Sequence, residues 1–387
     1  MKRLPFLLLL LLLLFEFSAS NVFSQNSRLA SIPSRELHGG IEINLRGAQA
    51  IGLRISGEEE NFNVSILYTE LILSPLSAIE GKFTPESIRE MATAAQKHVR
   101  RMQQDYRIPP EQIYITITPS VIAANVAELV SEIRTRTART VTPLDVETTV
   151  QLGISGSIPR RYKLNNRWYE NRNISMLVEV MGNKVQGGYQ VNRLSEFGGG
   201  GTYDFVTFEV PKGSLGLAAE ASKLVGDKAD RATFARTTSS LTEKFIRAPL
   251  RAEAQRKLGL STRKKIYLAG PIMRIMSATI LLDDTRTYVP VTTNDVNSLY
   301  NQLVNDPEAL LTPDLTRIKS EETRQLVQNG LQAARIAFTT KELIAAAEIL
   351  RALVSELELQ NKKIYFPRYH HLSHILSFVR LQPEEAR

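Results

Sequence analysis

The sequence predicts an α/β protein built from two similar domains, and three observations support this prediction. The chain has 387 residues, enough for two to three domains at roughly 150 residues each. Its 43% hydrophobic and 23% charged residues are typical of globular proteins, which excludes collagen-like, coiled-coil and wholly disordered classes. A pattern of three strands followed by a helix also occurs twice along the chain, which indicates an internal duplication.

The first 25 residues have the pattern of a secretory signal peptide. A basic start precedes an apolar run from Leu7 to Phe15, and small and polar residues follow it. The apolar run is short for a membrane span, so cleavage after Ser20 or after Gln25 is favoured over an uncleaved anchor. We therefore expect a bacterial protein that is periplasmic or secreted, with a linker over residues 26–37.

Composition limits the chemistry and the partners of this chain. It has no cysteine, which excludes disulfides, thiolate metal sites and cysteine nucleophiles. The 48 Lys and Arg residues exceed the 40 Asp and Glu residues, giving a formal net charge of +8. The basic clusters are expected mainly on solvated faces, and the functional alternative is attraction of a polyanionic phosphate ligand. No aromatic-rich basic strand predicts a nucleic-acid partner. No stable membrane insertion is expected after signal cleavage, and a homodimer is left open.

The first repeat follows the linker. Alternating apolar and β-branched residues predict its strands, and Pro85 fits the first turn of a helix. The glycine and serine residues from Gly153 onward predict a turn-rich break. The predicted strands are Ile41–Ile43, Ala50–Ile55, Val64–Thr69 and Ile113–Thr118, and the predicted helices are 84–106, 122–136 and 143–153.

The second repeat has the same order, and a helical C-terminal part follows it. We expect domains over 38–160 and 161–293, with residues 294–387 completing the second. The predicted strands of the second repeat are Met176–Val180, Gly187–Asn192, Phe205–Val210 and Ile266–Ala269. Its predicted helices lie at 214–224, at 239–257 and from Pro271. In the C-terminal part, helices are predicted at 295–304, 320–335, 340–359 and from His370, with a strand at Lys363–Phe366.

Both repeats share a glutamate in the first strand and a glutamine seven residues later. These pairs are Glu42 with Gln49, and Glu179 with Gln186. Small residues follow the glutamine in each case. Because the two pairs occupy the same step of two similar units, they strengthen the interpretation as a duplication.

Five segments in this order resemble one known family. GGIEINLRGAQAIGLRI (39–55) and SMLVEVMGNKVQGGYQV (175–191) look like its two phosphate loops. The other three are 119–159, 264–280 and 338–368. The chain resembles the exopolyphosphatase and guanosine pentaphosphate phosphatase branch (Ppx/GppA) of the actin-like, sugar-kinase and Hsp70 ATPase superfamily, as a degenerate exported member. This resemblance implies two RNase H-like domains, with mixed sheets flanked by helices and a central cleft.

The resemblance also implies an activity and its residues. The activity would be Mg²⁺-dependent release of terminal phosphate from polyphosphate or a nucleoside polyphosphate. Glu147, in LDVETT, lies where the branch places its water-activating glutamate, and Asp145 is a near alternative. Glu42 and Glu179 occupy the positions of the two loop aspartates and would hold metal. The implied phosphate ligands are Arg46, Gly47, Gly182, Asn183, Lys184 and Gly187.

Several departures from the family pattern support a second hypothesis. Where the family has a glycine near position 44, this chain has Asn44-Leu45-Arg46, and Met181 replaces a glycine of the second loop. The bulky side chains of Leu45 and Met181 would obstruct phosphates. The alternative is therefore a catalytically inactive exported protein that acts as a binding or scaffold module.

Two further patterns carry no functional prediction. His370 and His374 have the i, i+4 spacing of zinc ligands, but no third ligand is apparent, so we expect a surface cluster of His370, His371 and His374. The run Gly198–Gly201 is expected to be a flexible loop.

Overall fold

The computed structural model describes residues 33–56, 63–79, 81–164, 166–192, 203–226, 228–282, 284, 286–318 and 320–385. The predicted signal peptide, most of the predicted linker and the run Gly198–Gly201 lie outside these residues. The chain divides into two compact units: Met1–Pro143 with Phe378–Arg387, and Leu144–Ser377. Each unit has its own sheet and its own hydrophobic core.

The first unit contains a five-stranded sheet with the order β3 (Asn63–Leu73), β2 (Gly47–Ser56), β1 (Leu37–Asn44), β6 (Ile113–Ile117) and β7 (Val141–Pro143). Strands β1, β2 and β3 pair antiparallel, whereas β6 and β7 continue the sheet in parallel. A helix over Pro85–Gln104 packs on β1 and β2. It begins where predicted, because Thr84 caps it by accepting the Ser87 N–H at 3.2 Å.

The first unit also contains a small ribbon and a second helix. A two-stranded ribbon joins β4 (Ala78–Ile79) and β5 (Lys82–Phe83), and the second helix covers Val126–Thr137.

The second unit contains a six-stranded sheet with the order β12 (Tyr203–Val210), β11 (Val185–Asn192), β10 (Ser175–Val180), β13 (Lys265–Ala269), β15 (Lys363–Pro367) and β14 (Tyr288–Val291). Its first three strands pair antiparallel, β13 and β15 run parallel to β10, and β14 is antiparallel at the edge. A separate hairpin pairs β8 (Arg161–Leu164) with β9 (Arg167–Glu170).

Helices make up most of the remaining chain. Those after the first unit are Val146–Ser157, Ser214–Val225, Arg231–Thr242, Ala248–Arg256, Gly259–Thr262, Pro271–Thr279, Thr293–Asn305, Pro307–Leu311, Glu321–Ala337, Thr340–Glu356 and Ser373–Glu385. Within the described ranges, no helix combines the length and apolar character needed to cross a membrane.

The two sheets share one topology. In both, a three-stranded antiparallel meander is followed by two parallel strands on the far side of the first strand. The repeated glutamate and glutamine are direct cross-strand partners, Glu42 opposite Gln49 and Glu179 opposite Gln186. The seven-residue spacing between glutamate and glutamine therefore reflects the register of a β-hairpin. The spacing occurs twice because each unit contains this hairpin.

The predicted turn after Gly153 is wrong. The helix Val146–Ser157 continues through both Gly153 and Gly156, and it packs on β10, β11 and β12. It therefore groups with the second unit, which begins at Leu144, whereas the sequence places the domain boundary after residue 160. Gly156 is needed within this helix because the chain around Ser373 packs closely against it, and a Cβ on Gly156 would lie only 2.5 Å from the Ser373 carbonyl oxygen. Tertiary packing therefore outweighs the local preference of these glycines for a turn.

Other elements were not predicted from the sequence. The hairpin β8–β9 and the edge strand β14 were missed. The helix predicted over 239–257 begins earlier, at Arg231, because Asp230 caps it by accepting the Thr233 N–H at 2.9 Å. A π-helical stretch over Glu243–Arg247 then separates it from the helix Ala248–Arg256.

Candidate functional site

Glu179 lies at the centre of a buried polar cluster in the second unit. It is the fifth residue of β10, and its side chain is fully buried. Its Oε1 lies 2.7 Å from His370 Nε2 and 2.8 Å from His374 Nε2. Its Oε2 accepts a hydrogen bond from Gln186 Nε2 at 2.6 Å. Both carboxylate oxygens are thus engaged by side chains from β11 and from the C-terminal segment.

The two histidines are held by the chain that follows β15. His370 lies in a short 3₁₀ turn, and His374 lies in the first turn of the helix Ser373–Glu385. His370 Nδ1 lies 2.7 Å from Ser157 Oγ and 3.2 Å from Ser373 Oγ. These contacts fix the orientation of the imidazole so that Nε2 faces Glu179.

The expectation of a surface histidine cluster is wrong. His370 and His374 are each only 5% exposed, and Glu179 brings a third potential ligand atom within 4.8 Å of theirs, a grouping that was not apparent from the sequence. His371 has different surroundings, since it lines a separate cavity with Arg274. Burial, reinforced by Arg274 and His370, lowers the pKa of His371.

The electrostatics of Glu179 follow from its neighbours. Burial alone would raise the pKa of this carboxyl group, but the charge and hydrogen bonds of His374 and His370 hold the pKa well below its usual range. The carboxylate is therefore ionised in the folded protein. A buried charge of this kind is tolerated only because it is paired and hydrogen-bonded.

Glu42, the counterpart in the first unit, has different surroundings. It is buried on β1, opposite Gln49 on one side and Thr116 on the other. Gln49 Nε2 donates to the backbone oxygens of Ala50 and Glu70, at 3.3 and 3.0 Å, whereas Gln186 donates to its glutamate. The two repeats therefore use the same glutamine differently.

The first predicted phosphate loop is the tight turn between β1 and β2. Its Arg46 N–H donates to Asn44 Oδ1 at 2.9 Å, which stabilises the turn. A Cβ on Gly47 would lie 2.1 Å from the carbonyl oxygen of Ile72 on β3. Gly47 therefore has a packing role that does not depend on any phosphate.

The second predicted phosphate loop spans Met181–Lys184, between β10 and β11. The Met181 N–H donates to the Lys184 carbonyl at 3.0 Å, so this amide closes the turn. The side chain of Lys184 is buried, and its Nζ lies 3.1 Å from Glu209 Oε1. The structure places Asn183 in the same turn. This lysine is neutralised within the fold, a partnership that the sequence did not indicate.

Glycines of the second loop are also required by packing. A Cβ on Gly182 would lie 2.7 Å from Leu215 Cδ1, and one on Gly187 would lie 2.2 Å from the Leu177 carbonyl oxygen. A side chain at either position would force its neighbours to move. These glycines remain predicted phosphate ligands, but the structure gives them a separate reason to be glycine.

The structure distinguishes the two candidate bases on the helix Val146–Ser157. Asp145 caps this helix, accepting the Thr148 N–H at 2.6 Å, and this hydrogen bond lowers the pKa of Asp145. Glu147 lies in the first turn with its side chain exposed, and its Oε1 accepts from Gln151 Nε2 at 3.2 Å. Asp145 therefore has a structural task, whereas Glu147 presents its carboxylate to solvent.

The two predicted metal positions differ in how well they fit Mg²⁺. Mg²⁺ takes oxygen ligands in octahedral geometry, and the two imidazole nitrogens beside Glu179 do not match this preference. Beside Glu42, Thr116 Oγ1 is buried and has no hydrogen-bond partner among the described residues. That orphaned oxygen and the Glu42 carboxylate suit Mg²⁺.

The fold of this chain is similar to those of several solved proteins. No family model matches the chain, and no curated protein matches it. Solved structures do match, and they include exopolyphosphatase-like and Ppx/GppA proteins, which have the actin-like ATPase fold. The predicted fold class, two RNase H-like units with mixed sheets and flanking helices, is thereby confirmed.

Three of these structures are similar over nearly the whole chain. An exopolyphosphatase from Cytophaga hutchinsonii aligns with a TM-score of 0.61 and 13% identity, covering 90% of this chain and 98% of that one. An exopolyphosphatase-like protein gives 0.59 and 12%, covering 89% and 99%. A Ppx/GppA family member from Aquifex aeolicus gives 0.54 and 12%, covering 91% and 99%. At such low identity the similarity establishes the fold alone.

Proposed function

We propose that this protein is a phosphoanhydride hydrolase that releases terminal phosphate from polyphosphate or a nucleoside polyphosphate. The observation that supports it is the exposed carboxylate of Glu147 in a chain with the exopolyphosphatase fold. By the sequence resemblance, this residue falls where the branch places its water-activating glutamate. A general base must reach a water molecule, and an exposed first-turn carboxylate satisfies that requirement.

Other groups would bind the substrate and its counterion. The Arg46 guanidinium and the predicted ligands Gly47, Gly182, Asn183 and Gly187 would bind phosphate oxygens, and the side chain of Lys184 is paired with Glu209. Mg²⁺ would be held on the side of Glu42 and Thr116 and would neutralise charge on the phosphate oxygens. Glu147 would take the proton of the attacking water.

The test is phosphate release by the purified chain. Long-chain polyphosphate, guanosine pentaphosphate and ATP would each be supplied with and without Mg²⁺. We expect metal-dependent release from at least one substrate, and Glu147→Gln should lower kcat by about 10²- to 10⁴-fold because general-base catalysis is lost. Glu90→Gln is the matched control, since Glu90 is exposed on the helix Pro85–Gln104. It should leave kcat unchanged.

Two outcomes would contradict the proposal. Absence of release from all three substrates would favour the inactive binding protein. Release that Glu147→Gln and Glu90→Gln affect equally would remove Glu147 from the mechanism.

A further inference from the structure

We propose that Glu179, His370 and His374 form a binding site for a transition-metal ion of the Zn²⁺ type. The three ligand atoms lie within 4.8 Å of one another, and all three side chains are buried. This site is distinct from the Mg²⁺ position at Glu42 and does not rest on the proposed hydrolase activity.

The donor set favours this class of ion. Two imidazole nitrogens and one carboxylate oxygen match the ligand preferences of Zn²⁺ and of similar divalent transition metals, which accept mixed nitrogen and oxygen ligands. In a tetrahedral zinc site with bonds of about 2.0–2.1 Å, ligand atoms are roughly 3.3–3.4 Å apart. The nitrogen–oxygen distances of 2.7 and 2.8 Å therefore need to open only slightly.

The surrounding groups would support metal-bound imidazole. When Nε2 of His370 binds an ion, its Nδ1 carries the proton and needs an acceptor. Ser157 Oγ, at 2.7 Å, and Ser373 Oγ, at 3.2 Å, are both placed to accept it. Such partners fix the tautomer and orientation of metal-bound histidines.

Gln186 provides an independent observation at the same site. It is 2% exposed and donates through Nε2 to Glu179 Oε2. Its Oε1 is buried and has no hydrogen-bond partner within the described part of the chain. A zinc ion with three protein ligands keeps a fourth position for water, and a metal-bound water is a donor that would satisfy this orphaned oxygen.

The competing interpretation is a metal-free cluster in which both imidazoles donate N–H groups to the carboxylate. Metal titration of the full chain distinguishes a metal site from this metal-free cluster. After treatment with a chelator, the protein would be dialysed against Zn²⁺, Co²⁺ or Mg²⁺ and its metal content measured. We expect one Zn²⁺ or one Co²⁺ per chain, with visible Co²⁺ absorption bands, and no stoichiometric Mg²⁺ in competition with Zn²⁺ at this site.

Variants assign the ion to these residues. His374→Asn and Glu179→Gln should each lower Zn²⁺ affinity by at least 100-fold, and Ser157→Ala by about 10- to 100-fold because it loosens His370. His371→Gln is the matched control and should keep the affinity of the wild-type protein. Circular dichroism would verify that each variant is folded.

The metal content of the wild-type protein tests whether the site binds Zn²⁺, even if a ligand variant does not fold. Folded wild-type protein that binds neither Zn²⁺ nor Co²⁺ stoichiometrically would overturn the proposal in favour of the hydrogen-bonded cluster. An equal loss of affinity in His371→Gln would overturn the ligand assignment. Phosphate release in Mg²⁺, measured separately, tests the hydrolase proposal and is not decided by either result.

Discussion

His98 in the first unit shows how a single buried histidine links the fold to pH. Its Nε2 lies 3.0 Å from the Ala48 carbonyl oxygen, and its Nδ1 lies 2.8 Å from the hydroxyl oxygen of Tyr68. Burial lowers the pKa of His98, and the hydrogen bond to Ala48 raises it. The effect of burial is the larger of the two, so the pKa of His98 lies below its usual value. The imidazole is therefore neutral in the folded protein and most readily donates through Nε2–H.

This lowered pKa predicts acid sensitivity of the first unit. The unfolded chain takes up a proton near pH 6.5 and the folded chain only at lower pH, so stability present above about pH 6.5 is lost as pH falls below it. His98→Gln should flatten this slope, by up to about 1.4 kcal/mol per pH unit. Urea unfolding of the wild-type protein and of His98→Gln between pH 5 and 8 measures how the free energy of unfolding depends on pH.

The control for this experiment is Lys97→Gln, an exposed neighbour on the same helix. It should retain the wild-type pH slope. An identical slope in His98→Gln and the wild-type protein would show that His98 is not the titrating group.

At the scale of elements, the helix Val146–Ser157 connects several parts of the second unit. Its Gly153 and Gly156 allow close approach, because a Cβ at Gly156 would lie 2.7 Å from Ser377 Oγ and one at Gly153 would lie 2.7 Å from Leu177 Cδ2. The same helix carries Glu147 at its start and Ser157 at its end. Tight packing of one helix therefore positions both the candidate base and a partner of His370.

The two glycines should differ in their tolerance of alanine. Gly156→Ala places a methyl group against the Ser373 backbone, which cannot move cheaply, and should destabilise the protein by about 1–3 kcal/mol. Gly153→Ala meets side-chain atoms instead of backbone, Leu177 Cδ2 at 2.7 Å and His374 Nε2 at 3.1 Å, and it gains about 1 kcal/mol of helix propensity, so its net cost should be smaller. Urea unfolding of both variants measures the difference, and a larger loss for Gly153→Ala would contradict this account.

At the scale of the whole molecule, the two units surround equivalent glutamates with different side chains. Both units keep a glutamate opposite a glutamine at the same hairpin register. In the first unit the orphaned hydroxyl of Thr116 accompanies Glu42, and in the second two histidines from the C-terminal segment surround Glu179. We infer that equivalent positions now favour different ions.

The sequence predicted the features that depend on local spacing. Strand alternation and the glutamate–glutamine spacing are local, so the duplication and most strands were predictable. The cluster at Glu179 was not, because 195 residues separate Glu179 from His374 and only the folded sheet brings them together. The pairing of Lys184 with Glu209 was missed for the same reason, since it joins β12 to the turn after β10.

Zn²⁺ binding should therefore slow hydrogen exchange around Glu179 and the two histidines, and not in the helix Pro85–Gln104. An ion joining Glu179 to two histidines ties β10 to the C-terminal segment and should suppress local opening there. Hydrogen exchange of the full chain with saturating Zn²⁺ should show slower deuterium uptake in peptides covering 175–191 and 368–377. Peptides from the helix Pro85–Gln104 should be unchanged, and His374→Asn should abolish the protection. Slower uptake spread over both units, or persisting in His374→Asn, would mean that Zn²⁺ binds elsewhere.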